Sequence, residues 1–221
     1  MNEPLLQEQI AYYRARANEY EETALPTLGA GDSPMAREWR EAERAVHALP
    51  QYTDILELAC GTGVWTRLLA QHTEHLTALD AAPEMLQLNR ANVNDARVKY
   101  ECVNLFEWEP MQQYEMVFFA FWLSHVPQAQ LDLFLQRVRR ALKPNGTVFI
   151  LDEPRGTKNV IPTNENVQTR ALNDGRTFKI VKEYYAPEEL RERMGQLGFA
   201  SIEISRGDYF FWLRAGKSNN D

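Results

Sequence analysis

The chain has 221 residues, 44% apolar and 25% charged, with a net charge of −7. This is globular composition, and the length suits one large α/β domain with a core that needs no disulfide or metal. The acidity argues against nonspecific binding to nucleic acid or anionic lipid, and no stretch reads as a membrane span or a signal peptide. The expectation is a soluble, cytoplasmic protein, monomer or homodimer. Its two cysteines, Cys60 and Cys102, lack zinc-ligand spacing and are expected to be free, Cys102 in a buried strand.

Residues 4–24 read as a helix with Leu6, Ile10, Tyr13 and Ala17 near one face, broken by Pro26, Gly29 and Gly31. A second helix is expected over 34–48, and residues 1–50 together as a helical cap. Five short apolar runs follow: 55–59, 76–79, 98–103, 116–121 and 148–151, with amphipathic stretches between most of them. That alternation predicts a parallel sheet covered on both faces. The helix around Leu131–Leu142 is expected to stop at Pro144-Asn145-Gly146. Residues 154–186 are long for a loop and read as a lid-like insertion carrying two strands around Asn173-Asp174-Gly175. A helix opening at Pro187 and two strands complete the prediction. It is a single Rossmann-like domain: a mostly parallel seven-stranded sheet with helices on both faces and a terminal antiparallel hairpin.

The stretch "ELACGTGVW" (57–65) places Gly61 and Gly63 in a strand-to-helix turn, where bare backbone approaches a ligand. A dinucleotide fingerprint needs a third glycine at Thr66, so a nicotinamide oxidoreductase is disfavoured. Asp80 ends the second run seventeen residues later. It either accepts both ribose hydroxyls or caps the helix that begins next.

With these motifs the chain resembles class I methyltransferases that use S-adenosylmethionine. The first motif reads Glu57-Leu58-Ala59-Cys60-Gly61-Thr62-Gly63, with Ala59 where the family has its first glycine. The resemblance implies cofactor contacts from Glu57, Ala59, Gly61 and Gly63, with Glu57 a partner for the charged methionine end. From "ALDAAPEML" it implies Asp80, Ala81 and Met85. Asn104-Leu105-Phe106 stands where the family has an acidic residue near the adenine amino group. "LKPNG" before the fifth run is also typical. "YYRARANEYE" resembles the opening of small-molecule enzymes related to ubiquinone and menaquinone biosynthesis. There a helix closes over the cofactor, so Tyr12, Tyr13, Arg14 and Tyr20 are candidates, with Trp39 and Arg40 weaker ones.

On the acceptor side, "FFAFWLSHVP" lacks the Asn/Asp-Pro-Pro-aromatic motif of nucleic-acid amino-methyltransferases, and the chain has no Pro-Cys nucleophile. Only Asp152-Glu153 is acidic where catechol-type enzymes bind metal twice, so no metal is expected. The reading is methyl transfer to oxygen, nitrogen, sulfur or carbon of a small molecule. A noncatalytic protein that binds S-adenosylmethionine as a sensor or scaffold is the alternative. Phe119 reads as cofactor wall or core. Trp122, Arg170, Tyr185 and Phe211 are acceptor contacts. His125 is the catalytic candidate, as base, as hydrogen-bonding orienter or as a structural residue; Asp152 and Glu153 could take its place.

Overall fold

A computed structural model describes residues 3–28, 31–158 and 166–218, with side chains to residue 20 in the first segment. Two helices lead: α1 (Glu3–Leu28) and α2 (Pro34–His47). α1 runs one turn past the expected stop, through Pro26. α2 starts where the Ser33 hydroxyl accepts the Ala36 amide at 3.1 Å, with Pro34 in its first turn. Its buried stripe is Ala36, Trp39, Ala42 and Val46.

Five parallel strands follow: β1 (Tyr52–Leu58), β2 (Thr73–Asp80), β3 (Val98–Cys102), β4 (Tyr114–Ala120) and β5 (Leu142–Asp152). The intervening helices are α3 (Val64–Leu69), α4 (Pro83–Val93) and α5 (Gln128–Arg140). β6 (Val167–Ala171) and β7 (Thr177–Val181) form their own antiparallel pair. α6 (Pro187–Gln196), β8 (Phe199–Arg206) and β9 (Phe211–Lys217) close the chain.

The main sheet has the order β3-β2-β1-β4-β5-β9-β8, with β9 antiparallel to both neighbours. The expected architecture is therefore present. Strands run outward in opposite directions from β1 and β4, which opens a crevice at the carboxyl ends of that pair. Side chains of β4 alternate between two cores. Val117 and Phe119 join Phe134, Val138, Leu190 and Met194 beneath α5 and α6. Met116 and Phe118 join Trp39, Val46, Trp65 and Leu69 beneath α2 and α3.

Two expectations need correction. Cys102 is exposed, because β3 is the edge of the sheet and only partly covered. β5 begins at Leu142, six residues before the apolar run, and passes through Pro144-Asn145-Gly146 with an irregular register against β4.

The 154–186 stretch holds the β6–β7 hairpin, with residues 159–165 outside the described residues. Gly175 adopts φ +86° in its turn. The hairpin docks on α1. Tyr12 packs with Leu172, Ile180 and Phe178. Three α1 side chains accept backbone amides from the hairpin: Glu8 from Lys179 at 2.7 Å, Gln9 from Val181 at 2.9 Å and Glu19 from Asn173 at 3.1 Å. No helix among the described residues is long and apolar enough to cross a membrane.

Candidate active site

A cavity lies between α1 and the carboxyl ends of β1, β2 and β4. Its floor is the glycine turn. Gly61 sits at φ +53° with no atom within 4 Å of where a Cβ would stand, so its missing side chain leaves room on the cavity side. Gly63 does different work. At φ +101° it starts α3, and a Cβ there would meet Asn89 Oδ1 at 2.8 Å. It allows α4 to pack against the turn rather than a ligand to approach. Asn89, fully buried, donates to the Cys60 and Gly61 carbonyls at 3.3 and 3.2 Å and to Thr66 Oγ1 at 2.8 Å. Its oxygen accepts the Tyr100 hydroxyl.

Asp80 holds backbone amides with both carboxyl oxygens. Oδ1 accepts the Ala82 amide ahead of α4, and Oδ2 accepts the Gly61 amide, each at 2.9 Å. Each oxygen keeps a further lone pair, and the residue lines the cavity. Burial pushes its carboxyl up, against the pull of those amides. Ala59 follows β1 at φ +54°, a conformation natural for the glycine it replaces, and Phe121 follows β4 at φ +55°. Both line the cavity.

Glu57 stands one residue before the end of β1, buried to 2% exposure. Its Oε2 has no hydrogen-bond partner, and burial, with Asp80 adding, pushes the carboxyl up to about 8. An orphaned acid behind an open glycine turn is the donor set a cationic ligand end would complete.

On the opposite wall, His125 follows β4 in a 3-10 turn, Leu123–His125. Its Nδ1 lies 2.8 Å from the Val181 carbonyl and its Nε2 2.7 Å from the Tyr13 hydroxyl. A carbonyl only accepts, so the partners assign the proton to Nδ1 and leave Nε2 to accept from Tyr13. Burial, then the nearby Lys182 charge, holds the imidazole well below its usual pKa, and it is neutral. Gln9 donates to the His125 carbonyl at 3.3 Å.

The structure brings most of the expected residues to the cavity. Tyr13, Tyr20, Ala81, Met85, Asn104, Leu105 and Trp122 line it beside Asp80 and His125. Asn104 Oδ1 also accepts the Phe106 amide at 3.1 Å. Others lie elsewhere. Arg14 pairs with Glu84 at 3.0 Å in solvent. Phe106 packs tilted against Trp122, 5.1 Å between ring centroids, and is not among the cavity's lining residues. Phe119 and Phe211, both fully buried, belong to the core on the α5 face. Tyr185 is buried there too, its hydroxyl on the Val126 carbonyl at 2.7 Å. Arg170 is exposed on β6 and donates to Gln168. Arg40 binds Asp32, while Trp39 stacks on Phe121 in the core. Asp152 accepts the Ser124 and Glu153 amides, and Glu153 pairs with Lys182 at 2.9 Å, both away from the cavity wall.

Sequence reasoning missed Gln9, Ile10, Ala82 and Ala120. Gln9 is four residues before Tyr13 on one helix face, the signal that would have found it.

Comparisons with known proteins agree with this geometry. Residues 55–146 match the family model described as a methyltransferase domain. A solved structure described as a DhpI-SAH complex is 34% identical, with TM-score 0.86, over 100% of both chains. A malonyl-[acyl-carrier protein] O-methyltransferase of Anoxybacillus flavithermus is 35% identical over 44% of this chain and 39% of its own length. A demethylmenaquinone methyltransferase of Listeria welshimeri is 28% identical over 52% and 50%. The chain spans half or less of the curated relatives it matches. With the full-length likeness, the sheet order and the glycine turn facing Asp80, the chain belongs to the class I S-adenosylmethionine-dependent methyltransferases.

Proposed function

We propose that the protein transfers the sulfonium methyl of S-adenosylmethionine to a small-molecule acceptor held between Tyr13, Trp122 and His125. The observation that supports this most is the convergence, on one cavity, of the open Gly61 turn, Asp80 and the Tyr13–His125 pair. Asp80 offers its remaining lone pairs to the ribose hydroxyls. Asn104 and the Leu105 amide face the adenine. Gly61 admits the methionine part, and Glu57 answers its ammonium directly or through water. The cofactor supplies an activated methyl on a positively charged sulfur. The protein aligns the acceptor with that carbon, and α1 with the hairpin keeps water away, acting as the lid. Arg170, on the hairpin, is a rim contact for an acidic acceptor.

The test is calorimetry with S-adenosylmethionine, then transfer of labelled methyl to a metabolite panel. Micromolar binding and a labelled small molecule are expected. Asp80→Ala removes charge-assisted bonds of about 1.5–3 kcal/mol each, so its affinity falls at least tenfold. Unchanged affinity removes Asp80 from the cofactor site. Binding with no transfer to any metabolite favours the sensor or scaffold reading.

A further inference from the structure

Neither ring nitrogen of His125 is open to an acceptor. The Val181 carbonyl takes Nδ1–H and the Tyr13 hydroxyl occupies Nε2 at 2.7 Å. Gln9 fixes this arrangement from both sides, giving a hydrogen bond to the His125 carbonyl and receiving one from the Val181 amide. The Tyr13 ring meets the imidazole edge-on, 5.3 Å between centroids. The Tyr13 oxygen spends its proton on Nε2 and keeps lone pairs of its own. Since Tyr13 lines the cavity, that oxygen is the basic atom of the pair available to a ligand.

We propose that Tyr13 is a catalytic residue and that His125 takes the acceptor's proton only through it. The proposal rests on the methyl-transfer reading above and applies to an acceptor whose nucleophile arrives with a proton. Tyr13 Oη receives that proton as its own passes to His125 Nε2. The bond formed joins nucleophile and methyl carbon. The bond broken joins methyl and sulfur, whose electrons stay on sulfur. The positive charge that began on the sulfonium ends on the imidazolium, so the site carries the same net charge before and after. The imidazole's proton affinity, held down by burial and Lys182, is lower still while the sulfonium is charged and recovers that further loss as the charge is discharged. The other charges near the ring are Arg16 on α1, Arg170 on β6 and Lys182 just past β7, the last paired with Glu153. They are unaltered by the transfer.

The test uses ring-15N-histidine protein, free and with S-adenosylhomocysteine. The expected spectrum shows His125 with a protonated Nδ1 and a hydrogen-bonded Nε2. In Tyr13→Phe the Nε2 resonance moves to that of an unbonded nitrogen while Nδ1 stays. If that variant fails to fold, uniform 3-fluorotyrosine, a stronger donor, shifts Nε2 the opposite way. A protonated Nε2, or one indifferent to both changes, overturns the relay. With whichever acceptor the labelled-methyl panel returns, Tyr13→Phe and His125→Gln each lose about 10²-fold in single-turnover rate, with cofactor affinity within about twofold. A Tyr13→Phe protein that keeps or gains rate hands the proton directly to His125 and sinks the proposal. Failure of the unaltered protein to bind S-adenosylmethionine removes the methyl-transfer reading instead.

Discussion

Glu57 carries the most informative charge at the residue scale. Its carboxyl, raised to about 8 by burial and by Asp80 and opposed by the Thr66 hydroxyl, is protonated at pH 7 in the free protein. An ammonium seated beside it would ionise it. Cofactor binding at pH 7 is therefore expected to release about one proton, read by calorimetry in buffers of different ionisation heat, and Glu57→Gln to release none. Equal proton release from both proteins would dissociate Glu57 from the ammonium. The sign for folding follows from the same shift. A raised carboxyl contributes stability that is full below its unfolded value near 4.5 and is lost as pH rises through about 8. The free protein's Tm is expected to sag over that window, and the Glu57→Gln protein to lack that component. The two glycines of the turn make a second contrast. Gly63→Ala drives a Cβ into Asn89 and Val93 at φ +101° and should cost about 1–3 kcal/mol of stability. Gly61→Ala meets open space, so it costs only the strain of an alanine at φ +53°, about 1 kcal/mol, with no clash, while cofactor affinity falls. Melts and calorimetry on both variants separate the roles; a Gly61→Ala protein with full affinity would mean the turn does not face the ligand.

Among elements, Gln9 joins three: α1 through its own backbone, the 3-10 turn through the His125 carbonyl, and β7 through the Val181 amide. Gln9→Leu keeps the bulk and strands two buried backbone groups, each at about 1–3 kcal/mol. A Tm drop of several degrees is expected, with a cofactor site that binds more weakly because its wall is no longer held. An unchanged Tm would show that solvent reaches those groups. Elements are also where the sequence was most legible. Short apolar runs between amphipathic stretches announced the parallel sheet, and Asn173-Asp174-Gly175 announced the hairpin. Faces were harder. Phe118 and Phe119 differ by one residue and lie in different cores, because a strand covered on both sides has no polar face to set its register. Phe211 and Tyr185 read as pocket aromatics for the same reason: aromatic character marks burial, not the cavity it faces. Gln9 escaped notice because a polar residue beside an apolar helix stripe looks like solvent-facing surface. Asp80 was legible because the end of β2 stands across from the glycine turn, where its carboxyl meets the Gly61 and Ala82 amides and lines the cavity.

For the whole molecule, a net charge of −7 predicts no useful affinity for DNA or RNA. Salt-dependent gel shifts at micromolar protein would contradict that. The cavity's geometry was legible only through the family likeness: periodicity shows that α1 is amphipathic, not where it docks. Much of its docking site is made of residues 173–181, more than 150 positions later, where the Asn173, Lys179 and Val181 amides donate to Glu19, Glu8 and Gln9. This has a consequence for synthesis on the ribosome. The first helix made has only α4 to lean on, through Ala17 against Ala82 and Met85, until the hairpin has left the exit tunnel, while β1 to β5 can already pair. The nascent chain thus holds a nearly finished sheet with an open crevice and a waiting helix. It gains its Tyr13–His125 contact only when the last third arrives, so a chain released early would fold without becoming competent.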